Sequence, residues 1–139
     1  FYFLMTDRLK KLRIISKKQK DKLFNQVPKL DYPFKIYHFI ENGQGELHCL
    51  IAVSRKQFKK AVTRNRIRRV VRAAIFDIMD EVNAELQEKH QNLYIALVYI
   101  GDESPKYKII KEKIIVFLHR LLNYEDNKEN TDSTIHTIN

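Results

Sequence analysis

Two short apolar runs, Leu47–Val53 and Leu93–Ile100, bracket a much longer stretch with a different rhythm. Within each run the apolar residues are nearly continuous, as expected of strands in the middle of a sheet. From Ala61 to about Glu88, the residues Val62, Val70, Val71, Ala74, Ile75, Ile78, Met79 and Val82 recur every three or four positions. That spacing predicts a long helix with one buried stripe. Strand, long helix and strand in this order call for a layered domain in which helices pack on a single sheet.

The flanking segments extend the pattern. Ser16 is placed to cap a short helix ending near Phe24, and Pro28 and Pro33 impose an extended connection. Phe34 to Ile40 reads as a strand, and Asn42-Gly43-Gln44-Gly45 as a turn. After Gly101 and Pro105, Ile110, Ile114, Phe117, Leu118, Leu121 and Leu122 mark a last helix from Tyr107 to Tyr124. The expectation is an α+β domain, a two-layer α/β sandwich with one central sheet of about four strands and three helices. Its boundaries are residues 7–124, preceded by an extension over 1–6 and followed by an acidic, disordered tail over 125–139. With 139 residues there is room for one such domain. No run is long enough to span a bilayer, and the opening Phe-Tyr-Phe-Leu-Met lacks the basic segment of a signal peptide, so a cytoplasmic location is expected.

Charge points to the partner. The chain carries a formal +9, and the segment from Arg55 to Arg72 alone holds nine basic residues and no acid. At helical spacing Lys60, Arg64, Arg68 and Arg72 share one stripe, with Asn65, Arg66 and Arg69 close by. Like charges four residues apart repel, so the stripe costs stability unless an external anion neutralises it. Phosphate suits it, because the planar guanidinium meets phosphate oxygens in a bidentate way. Lys56, Lys59 and Lys60 in the loop before the helix add further candidate phosphate contacts. The bland alternative, a solvated helix face, normally mixes its signs; this one does not.

Catalytic chemistry in the polypeptide itself finds little support. One cysteine, Cys49, allows neither an internal disulfide nor a multi-cysteine metal site, and three glycines allow no phosphate-cradling loop. His38 and His48 fall on strands and could pair if those strands were neighbours. Asp77, Asp80, Glu81 and Glu85 stand at helical spacing and are read as a solvated face. No catalytic and no metal-ligating residues are assigned to the protein.

The run Ala61-Val62-Thr63-Arg64-Asn65-Arg66-Ile67-Arg68-Arg69-Val70-Val71-Arg72 closely resembles the RNR motif of the bacterial ribonuclease P protein component. Ile51-Ala52-Val53-Ser54-Arg55-Lys56, Asp7-Arg8-Leu9-Lys10-Lys11, Leu23-Phe24 and Tyr32-Pro33-Phe34 are similar as well, so the resemblance covers about residues 7 to 122. It implies a left-handed βαβ crossover, which periodicity does not show. It also implies a catalytic RNA subunit as partner, with Mg²⁺ bound mainly by that RNA, and precursor tRNA as substrate, cut to remove its 5′ leader. The resemblance places Arg64, Asn65, Arg68, Arg69 and Arg72 against RNA, and Phe24 and Tyr37 in a cleft for the leader. Ordinary packing accounts for Phe24 and Tyr37 equally well at this point. In two places the chain departs from the family: Lys20 stands where an aromatic is common, and Gln57-Phe58-Lys59-Lys60 replaces a glycine-containing loop. No membrane partner and no obligatory homo-oligomer are expected. The rival readings are a non-catalytic ribosomal-type or chaperone-like RNA-binding protein and, more remotely, a DNA-binding regulator.

Overall fold

A computed structural model describes residues 15–102 and 105–138, with side chains described as far as residue 122. The expected extension over 1–6 lies outside the described residues. The elements follow in the order α1 (Lys17–Phe24), β1 (Lys29–Asp31), β2 (Phe34–Asn42), β3 (Leu47–Val53), α2 (Ala61–Lys89), β4 (Gln91–Tyr99) and α3 (Tyr107–Ile138). The four strands form one mixed sheet in the order β1-β2-β4-β3. β2 runs antiparallel to both β1 and β4, whereas β3 and β4 are parallel, joined through α2.

The main two layers are the sheet and the pair α2 and α3. Phe34 and Ile36 of β2, Leu47, Cys49 and Val53 of β3, and Leu93, Ile95, Leu97 and Tyr99 of β4 point to this side. They meet Ile67, Val71, Ala74, Ile75, Ile78, Val82 and Leu86 of α2, and Ile110, Ile114, Phe117, Leu118, Leu121 and Leu122 of α3. The alternate residues of each strand face the other way, as the pleat requires. There a smaller cluster of Leu23, Phe39, Tyr94 and Ala96 seats α1 on β2 and β4.

Local chemistry explains the element boundaries. Ser16 closes a capping box at the start of α1: its hydroxyl accepts from the Gln19 amide, while the Gln19 side chain accepts from the Ser16 amide. In the β2–β3 turn, Gly45 takes φ +98° and lies so close to α2 that a Cβ would collide with the Gln87 backbone. Asn92 Oδ1 accepts from the amides of Gly45 and Glu46 and locks that turn to β4. α2 ends at His90 in the left-handed region, and Lys89 Nζ donates to the Leu122 carbonyl of α3 at 3.0 Å.

Two expectations need correction, and one open possibility is closed. Val62, assigned to the buried stripe of α2, is 70% exposed, and fully buried Ile67 takes that role one turn and a half later. Nine residues from buried Val71, Val62 stands about half a revolution around the helix, on the outward face with exposed Arg66 and Arg69. His38 and His48 do not pair, because β4 lies between their strands and they occupy opposite faces. His38 stands beside Phe117 under α3, while His48 stacks on Tyr94. Finally, α3 carries helical backbone to Ile138, through the stretch from residue 125 read as disordered. No glycine or proline follows Pro105 to stop it. Among the described residues, no helix is long and apolar enough to cross a membrane.

Candidate nucleic-acid interface

The sheet ends β3 and β4 together, with Val53 opposite Tyr99, and from that end the chain leaves β3 as a basic loop, residues 54–60. The loop is tied down at three points. Phe58 is buried against Tyr99, and its amide donates to the Ser54 carbonyl at 3.0 Å. Gln57 Nε2 donates to the Gly101 carbonyl at 2.6 Å in the β4–α3 loop. Arg64 reaches back from α2, its Nη1 donating to the carbonyls of Phe58 and Lys59, each at 2.8 Å. Between these ties Arg55, Lys56, Lys59 and Lys60 remain exposed.

α2 then presents its basic residues unequally. Asn65, Arg66 and Arg69 are exposed. Arg68 is half-buried, with Nη1 donating to Asn65 Oδ1 at 3.0 Å, which orients the guanidinium along the helix surface. Arg72 is half-buried and close enough for its charge to act on Cys49. Burial pushes the Cys49 thiol up to about 12, an effect that Arg72 partly offsets, so this cysteine is an inert part of the core. Arg64 differs from the rest of the stripe: its fork is turned inward on the loop. It shapes the surface on which its neighbours act.

The opposite face of the sheet holds the second region. Phe24, at the end of α1, and Tyr37 of β2 meet edge to face with ring centroids 5.0 Å apart. Phe24 is 37% exposed and Tyr37 half-buried, so packing alone does not consume their faces. Lys35 Nζ stands 5.6 Å from the Tyr37 ring centre. α1 sits on β2 and β4 and leaves Leu50 and Ala52 of β3 and Val98 of β4 only half-buried. Beside α1 these half-buried residues make a strip along β4 and β3 that leads to the basic loop at the end of β3. Deeper in this face, Phe39, Tyr94 and His48 stack across three strands at 4.6 and 4.7 Å.

The structure therefore separates the predicted residues into two surfaces joined by one loop. Asn65, Arg66, Arg68, Arg69 and Arg72 lie on α2 behind the sheet; Phe24 and Tyr37 lie in front; Lys56, Lys59 and Lys60 lie between or at the helix start. Gln19 and Tyr94 were not singled out in the sequence, and Gln57 and Phe58 figured there only within the loop that departs from the family. Among the described residues, no group of three or more His, Cys, Asp or Glu side chains comes together to hold a metal ion. The acids of α2 are spent singly, Asp77 facing Lys111 at 3.5 Å and Glu85 facing Lys89 at 3.7 Å.

An arginine-faced helix, a tethered basic loop and an aromatic groove on a mixed sheet define an RNA-binding α+β protein. The family model for ribonuclease P matches residues 9–122, and the chain belongs to that family. It is thus the protein subunit of a ribonucleoprotein endoribonuclease that acts in tRNA 5′-end processing, with RNA as its partner. Similar chains include the ribonuclease P protein component of Porphyromonas gingivalis, 29% identical over 65% of this chain and 67% of the relative. That of Chlorobium phaeobacteroides is 33% identical over 59% of this chain and 61% of its own. Among solved structures, a Staphylococcus aureus RNase P protein mutant with defective mRNA degradation activity superposes with a TM-score of 0.61. It is 17% identical, over 86% of this chain and 94% of that one, and so supports the fold.

Proposed function

We propose that the two surfaces serve two RNAs. The back surface, Asn65, Arg66, Arg68, Arg69 and Arg72 with Lys56, Lys59 and Lys60, docks on the catalytic RNA subunit. The front groove receives the single-stranded 5′ leader of precursor tRNA. Single-stranded nucleotides bind by stacking on aromatic faces and by backbone neutralisation, and the groove offers Phe24 and Tyr37 for the first and the basic loop for the second. The observation that carries this reading is the part-exposed Phe24–Tyr37 pair, across Ala96 of β4 from a half-buried strip of β3 that runs into Arg55 and Lys56.

In this division the polypeptide positions and neutralises. Mg²⁺ would be held by the RNA, where it supplies the activated water of phosphodiester hydrolysis. Arg68, oriented by Asn65, is set to clamp phosphate, and Arg64 keeps the loop lysines at the helix start. Leader contacts favour precursor over product, because the product has lost what the groove holds.

Reconstitution with a bacterial ribonuclease P RNA at low Mg²⁺ tests the proposal. The protein is expected to stimulate cleavage of precursor tRNA and to lower its KM more than it binds mature tRNA. If about six phosphates of a single strand are neutralised, affinity falls about 300-fold between 50 and 200 mM salt. A protein that binds RNA yet leaves cleavage unstimulated would instead be a non-catalytic RNA-binding module.

A further inference from the structure

We infer that Gln19 is a positioning residue that, through the Tyr94 hydroxyl, fixes the angle of α1 and thereby the width of the leader groove. This rests on the groove reading above. α1 has eight residues, too few to be stable alone, and its one fully buried side chain is Leu23. A short helix held at a single point can pivot about it. Gln19 lies one turn earlier on the same face, and its Nε2 donates to Tyr94 Oη at 2.9 Å. Two fixed points define an axis.

The second point is itself rigid. Tyr94 is sandwiched between Phe39 and His48, with ring planes within 12° and 7° of parallel. Burial foremost, and then the neighbouring Glu41 carboxylate, push its phenol up, so it keeps its proton and accepts from Gln19 at any ordinary pH. Lys22 adds a looser hold, 3.8 Å from Glu41 and 4.5 Å above the Phe39 ring. Gln19 also closes the capping box through its other amide atom. One side chain thus starts the helix and aims it, and aiming it sets where Phe24 stands relative to Tyr37.

Tyr94→Phe separates the two duties, since it removes only the hydroxyl and keeps the ring stack and the capping box. In the reconstituted holoenzyme, its affinity for leader-bearing tRNA is expected to fall about threefold to tenfold, the worth of one hydrogen bond. Affinity for leaderless tRNA and for the catalytic RNA stays unchanged. Phe24→Ala is the control for the groove itself. If Phe24→Ala lowers the leader-bearing to leaderless affinity ratio and Tyr94→Phe does not, the inference fails while the groove stands. If both variants leave the ratio untouched, the groove reading fails and takes the inference with it. Equal loss on both tRNAs in Tyr94→Phe would show a structural role only and overturn the inference.

Discussion

The two faces of the sheet are built to different specifications. Behind it, α2 and α3 close over a continuous apolar layer in which Leu93, Ile67, Ala74 and Leu86 are fully buried. In front, a single short helix covers part of β2 and β4, its one fully buried side chain is Leu23, and the cluster beneath it is small, with aromatic, polar and cationic contacts around it. Dense packing gives the back face stability and nothing to bind with except its outer charges. Incomplete covering gives the front face room for a ligand, at the cost of a wall fixed by few contacts. The teaching is that one sheet can store stability on one side and spend it on the other.

The largest effects test the closed face. Leu93→Ala is expected to cost about 2–5 kcal/mol in urea unfolding, the range for a fully buried leucine. A much smaller loss would show that the back face packs loosely and erase the contrast. Cys49 probes the same layer chemically. Burial raises its folded pKa to about 12 from the ordinary thiol value of 9.0, so the folded state holds its proton more tightly than the unfolded one. The stability this contributes is present below pH 9 and is lost as pH rises from 9 towards 12. Alkylation at pH 8 should therefore report opening of the core, and rapid modification of the native protein would contradict the burial.

The joining loop comes next. Arg64→Ala removes donors from two carbonyls and is expected to cost about 1–3 kcal/mol, with faster amide exchange in residues 56–60. Arg69→Ala, fully outward, should leave the melting temperature alone and lower the salt dependence of RNA binding by about one phosphate. Identical behaviour of the two variants would remove the distinction between the loop tie and the exposed arginines. On the open face, Phe24→Ala should cost about 1 kcal/mol of stability, the worth of its edge contact with Tyr37. A large loss of stability there would mean that the front face is core, not groove.

Legibility in the sequence followed the same division. Strands β2, β3 and β4 and helices α2 and α3 stand out because periodic apolar residues report burial on the back face. The basic stretch was equally plain, since charge purity needs no structure to be seen. Val62 misled because the gap of eight residues to Val70 hides that it lies across the helix from the stripe. Arg64 looked like its neighbours because a stripe shows spacing, not the direction of a flexible side chain. Gln19, Gln57 and Tyr94 were invisible for a related reason: each acts through one tertiary hydrogen bond to a residue distant in the chain, and no local pattern records that. Strand order was hidden too, so a pairing of His38 with His48 stayed open in the sequence although β4 divides their strands.

The account turns on a leader strand lying in the groove beside α1. A photoactivatable phenylalanine analogue at position 37, in protein assembled with catalytic RNA and precursor tRNA, tests this directly. Crosslinks are predicted to nucleotides of the 5′ leader and to vanish with leaderless tRNA. Crosslinks that persist with leaderless tRNA, or that fall on the catalytic RNA instead, would contradict it.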